Sequence, residues 1–355
     1  MSICLNMIVK DEAKVIERCL ISVRPFIGHW VIVDTGSSDD TPQRIAAVMA
    51  GIPGELHHRP WRNFGHNRGE ALDLARGKAD YLLFIDADET LGAEPNAQWP
   101  ALNQGAYSLE ARYAELSYDR VSLVSSRLPW QWKGVLHEYL DAGQVVPQPR
   151  VPGFWIEVRP DGARSSDPKK FEKDAQVLEA ALLAEPDNTR YVFYLAQSYR
   201  DAGMLEAALT HYLRRAAMGG WGEEVWYSLY QSAKLSQQLN KPYETIINRY
   251  LAAYEARPQR AETLTALATY LRYRKEWHLA ALFAQAAASM PLPTDRLFVD
   301  LHTYQWRAAD EYALALFYTQ RQAEAVNIWR KLLADLQLPA QERPRIEANI
   351  GFAKV

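Results

Sequence analysis

The strongest chemical signal in the chain is the pair Asp86 and Asp88 in Ile85-Asp86-Ala87-Asp88-Glu89, directly behind the apolar run Tyr81-Leu82-Leu83-Phe84. Residues i and i+2 of a strand project to one side, so the two carboxylates can address one ligand together. Carboxylates bunched at a strand end are costly unless a cation neutralises them. Oxygen donors of this kind suit Mg²⁺ or Mn²⁺, which would in turn hold a diphosphate. A bare Asp-x-Asp is common by chance; its place behind a buried strand raises it above a solvated strand end.

A second signal is Val31-Ile32-Val33-Asp34, followed by Thr35-Gly36-Ser37-Ser38-Asp39-Asp40-Thr41. Asp34 again closes an apolar run, where its carboxylate can accept hydrogen bonds from a base or ribose. Within Ser38 to Thr41 at least one residue is expected to serve as a helix cap. The third signal is Trp61-x-Asn63-Phe64-x-x-Asn67-Arg68, an aromatic plane and a cation ahead of a helix. A surface ion pair is the plain alternative for Arg68. No glycine-rich dinucleotide fingerprint follows the first strand, and no Gly-x-x-x-x-Gly-Lys-Ser/Thr occurs, which disfavours both common nucleotide loops.

These residues need elements to carry them. Ile3 to Val9 reads as a strand; Ala13, Ile16, Leu20 and Val23 share one face of a helix that Asp11 would cap. Trp30 to Val33 is a second strand, Thr41-Pro42 opens a helix, and Leu56 to Arg59 is a third strand. Asn67 to Ala75 is a helix and Tyr81 to Ile85 a fourth strand. This alternation predicts an α/β domain with a mainly parallel sheet. Such sheets bind ligands beyond the C-terminal ends of their strands, which is where the three signals fall. From Tyr107 shorter β-like runs follow, among them Val121 to Val124, Val135 to Leu140 and Phe154 to Val158.

Beyond Lys169 the β signal stops. Leu195-Ala196…Tyr199…Gly203…Ala208…Tyr212 has the spacing of a tetratricopeptide unit, and Leu229 lies 34 residues after Leu195, that repeat's period. Further copies begin at Leu267-Ala268 and Tyr312-Ala313. Two domains are expected, 1–167 and 168–355, the second an all-α repeat array that is stable only by stacking. Trp221, Trp226, Tyr227 and Tyr230 at helical spacing are expected mainly as core.

The 355 residues are 48% hydrophobic and 23% charged, with a net charge of −3, of which residues 1–168 carry −5 and the remainder +2. Neither half has the charge for a general grip on nucleic acid or anionic membrane. Cys4 and Cys19 make no disulfide framework or zinc pattern. The chain lacks the N-terminal pattern of a signal peptide and any apolar run of about 20 residues. The expectation is a soluble, cytoplasmic protein.

Taken in order, Leu5-Asn6-Met7-Ile8-Val9-Lys10-Asp11-Glu12, Val33 to Thr41, Trp61…Asn67-Arg68 and Asp86-Ala87-Asp88-Glu89 resemble glycosyltransferase family 2. The helical tail is similar to that of the bacterial branch fusing this domain to tetratricopeptide repeats, including the sublancin-type S-glycosyltransferases. The resemblance implies a GT-A fold, a nucleotide-diphosphate sugar donor such as a UDP-sugar, a Mn²⁺ or Mg²⁺ ion, and inversion at the anomeric carbon. It matches Asp34 to the nucleoside-binding position and Lys10 to Glu12 to the edge beneath base and ribose. Asp86 matches the carboxylate near the ribose and a metal ligand, and Asp88 the metal ligand on the diphosphate. His66-Asn67-Arg68 departs from the usual Ala-Arg-Asn, so either Asn67 or Arg68 faces the donor.

In the same branch a His-Glu follows the metal motif; here Gly134-Val135-Leu136-His137-Glu138 is similar. Glu138 is the candidate base with His137 as a third metal ligand, or the roles are reversed. Neighbouring strand residues face opposite ways, so both act at one point only if a turn intervenes. Arg164, in Gly162-Ala163-Arg164-Ser165, is placed to fold over the diphosphate. The acceptor, held by the helical repeats, is a glycan, a protein or peptide, or a hydroxylated nucleobase in DNA. The repeats also allow a homodimer. The competing reading is a tetratricopeptide scaffold with an inactive transferase domain, which a broken Asp-x-Asp would mark; the motif is intact.

Overall fold

The computed structural model describes residues 1–113 and 116–353. They divide into two compact units, Met1–Ala181 and Leu182–Val355. The sequence places a boundary at 167/168; packing places it inside the helix that follows.

In the first unit, β1 (Ile3–Val9), β2 (His29–Asp34), β3 (Gly54–His58) and β4 (Tyr81–Phe84) form the parallel half of an eight-stranded sheet. β5 (Thr90–Ala93), β6 (Ala106–Tyr113), β7 (Leu116–Ser125) and β10 (Arg150–Glu157) complete it in the order β3-β2-β1-β4-β7-β6-β10-β5. β7 pairs antiparallel with β4 and β6, β6 parallel with β10, and β10 antiparallel with β5, so the sheet is mixed. β1, β2 and β4 are apolar almost throughout because helices cover both of their faces. Leu5, Met7 and Val9 pack with Ile16 and Leu20 of α1 (Ile16–Val23) and Ile45 of α2 (Thr41–Val48). Cys4, Val31 and Leu82 face the other way, onto Leu72 and Ala75 of α3 (Phe64–Ala75). Cys4 and Cys19 are both free and buried.

Register decides where the chemistry collects. Val9 lies opposite Asp34, and Asn6 opposite Phe84, so the residues following β1, β2 and β4 emerge at one edge. Of the run Val135 to Leu140, expected as a strand, only Tyr139 and Leu140 belong to one, β9 (Tyr139–Asp141); the residues before them form the bend that joins it to β8 (Gln131–Lys133). Gly134 and His137 both take positive φ there, a conformation a strand does not use.

α4 (Lys170–Ala184) runs from the first unit into the second. The helical unit continues with α5 (Thr189–Asp201), α6 (Leu205–Ala217), α7 (Gly222–Gln238), α8 (Tyr243–Ala256), α9 (Ala261–Tyr273) and α10 (Trp277–Ala288). It ends with α11 (Ala308–Tyr318), α12 (Gln322–Ala334) and α13 (Arg343–Phe352). Leu195, Ala196, Ala208 and Tyr212 are buried where α5 meets α6; Leu267, Ala268, Ala280 and Ala284 are buried in α9 and α10. Ala313, Ala325 and Trp329 share the core of α11 and α12. Trp226 is fully buried, as expected for core, whereas Trp221 is about half exposed. Among the described residues no helix is long and apolar enough to cross a membrane.

Candidate active site

A cleft of about 1200 Å³ opens at the edge where β1 and β4 end. Lys10 and Glu12 line it from β1, Asp86 and Asp88 from β4, Arg68 from α3, and His137 and Glu138 from the β8–β9 bend. Trp61 and Phe64, edge to face with ring centroids 4.7 Å apart, form an aromatic wall. Arg164 packs over the Phe64 ring at 4.4 Å and pairs with Asp174 of α4.

The loops behind β1 and β2 are sewn to each other by polar side chains. Asp11 takes positive φ and its Oδ1 accepts from the Ser38 N–H at 2.7 Å, while its own N–H donates to Ser37 Oγ at 2.9 Å. The Glu12 N–H donates to Thr41 Oγ1, and the Ala13 N–H to Asp39 Oδ2. Asp11 therefore does not cap α1, and Asp40, the residue preceding α2, makes no side-chain cap. Asp39 accepts from the Thr41 N–H instead. This lacing holds Glu12 in the cleft wall.

Asp34 stands behind that wall. It is 3% exposed; its carboxylate accepts from the Ser37 N–H and Oγ and meets His58 Nδ1 at 3.2 Å. It does not line the cleft. Asn67 is equally withdrawn: Oδ1 accepts from the Arg62 N–H at 2.9 Å and Nδ2 donates to the Pro60 carbonyl at 3.0 Å. Of the two α3 residues left open by the sequence, Arg68 faces the cleft. Asn67 latches the loop at Pro60 and Arg62 to α3.

The two halves of the Asp-x-Asp meet opposite surroundings. Arg68 bridges two carboxylates, Nη2 to Asp86 Oδ1 and Nε to Glu138 Oε1, each at 2.5 Å, with Trp132 5.2 Å from its guanidinium carbon. Burial alone would raise the Asp86 carboxyl, but the Arg68 and Arg120 charges outweigh it and hold the group below its ordinary value. Asp88 goes the other way: burial and the neighbouring Asp86 charge raise it. Glu12 is pushed up to about 7 by burial, with Asp88, Asp39 and Asp86 adding to the rise against the Ala163 N–H that it accepts. Among the described residues no Lys or Arg pairs with Glu12 or Asp88.

Backbone from the 160–164 segment closes against these groups. A Cβ on Gly162 would sit 2.8 Å from Asp88 Oδ2, so glycine lets the chain pass there. Arg18 anchors the segment through Asp161 and also donates to the Asp88 carbonyl at 2.8 Å. Arg120, which the sequence reading did not select, pairs through both nitrogens with the buried Glu89 and stands 4.0 Å from Asp86. Its signal, an arginine in a β run, is too ordinary to stand out.

Asp86, Asp88 and His137 all reach the cleft, but among the described residues no three His, Cys, Asp or Glu side chains form a ready metal cage. Asp86 is drawn to Arg68 instead. The surplus carboxylates Glu12 and Asp88 nevertheless fit a hard divalent cation, since Mg²⁺ commonly takes only one or two protein carboxylates and completes its shell with phosphates and water.

Residues 4–94 match the model described as "Glycosyl transferase family 2". A TPR repeat-containing protein of Synechococcus elongatus is 28% identical over 272 residues, 71% of this chain and 66% of that protein. The SPbeta prophage-derived glycosyltransferase SunS of Bacillus subtilis is 24% identical over 240 residues, 61% of this chain and 53% of SunS. The chain thus spans between about half and two thirds of the length of these curated relatives. The crystal structure of MamA superposes with a TM-score of 0.37 at 16% identity, over 52% of this chain and 88% of MamA. The N-terminal part of the chain carries a family 2 glycosyltransferase domain, and helices follow it.

Proposed function

We propose that the protein is a metal-dependent, inverting glycosyltransferase that moves a sugar from a nucleotide-diphosphate sugar to an acceptor nucleophile. The observation that carries this reading is the pair of uncompensated carboxylates, Glu12 and Asp88, in a cleft at the C-terminal edge of the parallel strands. Such a site is short of positive charge, and a divalent cation with a diphosphate supplies it. Asp88, with Asp86 beside it, would hold a Mn²⁺ or Mg²⁺ ion. When bound, that ion neutralises the diphosphate as it leaves.

The chain's own residues divide the remaining work. Lys10 and Glu12 border the place for base and ribose, and the Trp61–Phe64 wall offers that base an aromatic plane. Asp34 supports the same corner through Ser37 and His58. Asn67 holds the loop that carries Trp61. Arg164, already in the cleft, is assigned to the diphosphate side. Arg68 fixes one oxygen of Glu138, and the second oxygen is assigned the acceptor proton. His137 lies on the same bend, so a turn does bring both residues to one wall.

The helical unit is assigned the acceptor, whether glycan, polypeptide or modified nucleobase, and offers a face for a homodimer. The free, buried cysteines fit a reducing, cytoplasmic setting. The test is a screen of nucleotide sugars for slow donor hydrolysis, with Mn²⁺, with Mg²⁺ and with EDTA. A UDP-sugar hydrolysed only with metal is the expected outcome. Hydrolysis undiminished in EDTA overturns the metal, and none with any donor overturns the transferase.

A further inference from the structure

The helix α3 carries the β8–β9 hairpin along one stripe. Gly65, Arg68, Leu72 and Arg76 recur at steps of three and four residues, so they share one face of the helix. At its far end Arg76 Nη2 donates to the Trp130 carbonyl at 2.5 Å, just ahead of β8. Leu72 shares an apolar cluster with Trp130, and Trp132 packs against it. Arg68 lies beside the Trp132 ring and donates to Glu138 Oε1.

Gly65, at the near end of the stripe, has no side chain, and the reason lies on the bend. A Cβ there would overlap the carbonyl oxygen of Gly134. That oxygen belongs to the backbone and cannot swing aside as the tip of a side chain would. Gly134 has a φ of 100°, and its own Cβ position lies 3.4 Å from the Glu138 Cα, so the bend is folded closely on itself. A shift of Gly134 is therefore passed on to Glu138. Which side gives way follows from how each is held. α3 packs on the main sheet through Leu72 and Ala75, whereas β8 and β9 form a separate two-stranded sheet of three residue pairs. A two-stranded ladder is marginal by itself, so the bend yields first.

We infer that Gly65 is a positioning residue: by leaving room for the Gly134 carbonyl, it sets the place of Glu138 in the cleft. A methyl group at Gly65 pushes the bend outward and carries Glu138 away from the acceptor proton. The loop bearing Trp61, latched through Asn67, and the carboxylates of Glu12 and Asp88 sit on other segments and stay in place. The inference rests on the assignment of the acceptor proton to Glu138 under the proposed function.

The experiment compares the full chain as wild type, Gly65→Ala, Gly69→Ala and Glu138→Gln. Gly69 lies one turn further along α3, and a Cβ there meets nothing within 4 Å, so its substitution is the matched control. The donor that reacts in the nucleotide-sugar screen gives kcat and KM, and its nucleoside diphosphate with Mn²⁺ gives affinity by calorimetry. Gly65→Ala should lose about a hundredfold in kcat, the scale of a displacement near 1 Å, with KM and affinity within about twofold. Amide hydrogen exchange across 131–141 should quicken in that variant. Glu138→Gln should show a comparable loss of kcat with exchange unchanged, and Gly69→Ala should match the wild type throughout. Equal kcat in the two glycine variants overturns the inference. So does diphosphate affinity falling in step with kcat, or global unfolding of Gly65→Ala, either of which makes Gly65 architectural. A wild type that hydrolyses no donor overturns the transferase reading, and this inference with it, before any variant is compared.

Discussion

Arg215 and Arg260 are fully buried in the helical unit, and each finds a carboxylate, Glu224 at 2.9 Å and Glu262 at 2.8 Å. At the ends of β1 and β4, by contrast, the half-buried Glu12 and Asp88 find no cation among the described residues. The first region spends its charges on holding itself together. The second leaves two of them in surplus at the wall of a cleft. A buried charge left without a partner costs several kcal/mol. A carboxylate left without a cation beside a cavity therefore points to a ligand.

Replacing one charge of each kind should separate rate from stability. Asp88→Asn keeps the shape and removes a surplus charge, so the melting temperature should hold or rise. Transfer turnover should drop by about a thousandfold or more, because metal stabilisation of a leaving group is worth several kcal/mol. A variant that retains turnover at saturating Mn²⁺ would break the contrast. Arg260→Met should do the reverse. The guanidinium holds Glu262 and the carbonyls of Leu297 and Phe298, and stacks 3.7 Å from the Trp226 ring. Its loss should cost about 3–5 kcal/mol in urea unfolding of the helical unit, the usual penalty for stranding a buried partner. Donor hydrolysis per folded molecule should be unchanged.

The smallest effect sharpens the comparison inside the cleft itself. Asn67 is uncharged, buried and architectural, although it neighbours Arg68 in sequence. Asn67→Ala should cost roughly 1–2 kcal/mol for the lost hydrogen bonds. Nucleotide affinity, read by calorimetry, should fall through the Trp61 loop rather than through a direct contact.

The elements of the parallel half-sheet were legible because each apolar run is short, bounded by turn residues and followed by a helical face, as in Ile3 to Val9 and Ala13 to Val23. The helical unit was legible from the repeat of Leu195-Ala196 and Tyr199. What the sequence hid was pairing between distant segments. Asp34 and Asp88 carry the same side chain at the same kind of strand end, yet Ser37 and His58 enclose one while the other faces the cleft. Asn67 and Arg68 differ by one step around a helix, and only the packed loop at Pro60 and Arg62 decides which is internal. Val135 to Leu140 has strand residues, but Gly134 and His137 turn it. Arg120 and Trp132 had no motif to announce them.

The latch at Asn67 has a further consequence. Because one amide ties both the Arg62 N–H and the Pro60 carbonyl to α3, the segment bearing Trp61 is carried by a helix already packed on the sheet through Leu72 and Ala75. Its conformational entropy is lost during folding and, under the proposed function, is not charged again when a nucleotide arrives. An aromatic surface assembled beforehand binds at the speed of encounter, without waiting for a loop to order. Exchange of one nucleotide for the next can then be limited by release instead of by reassembly of the wall.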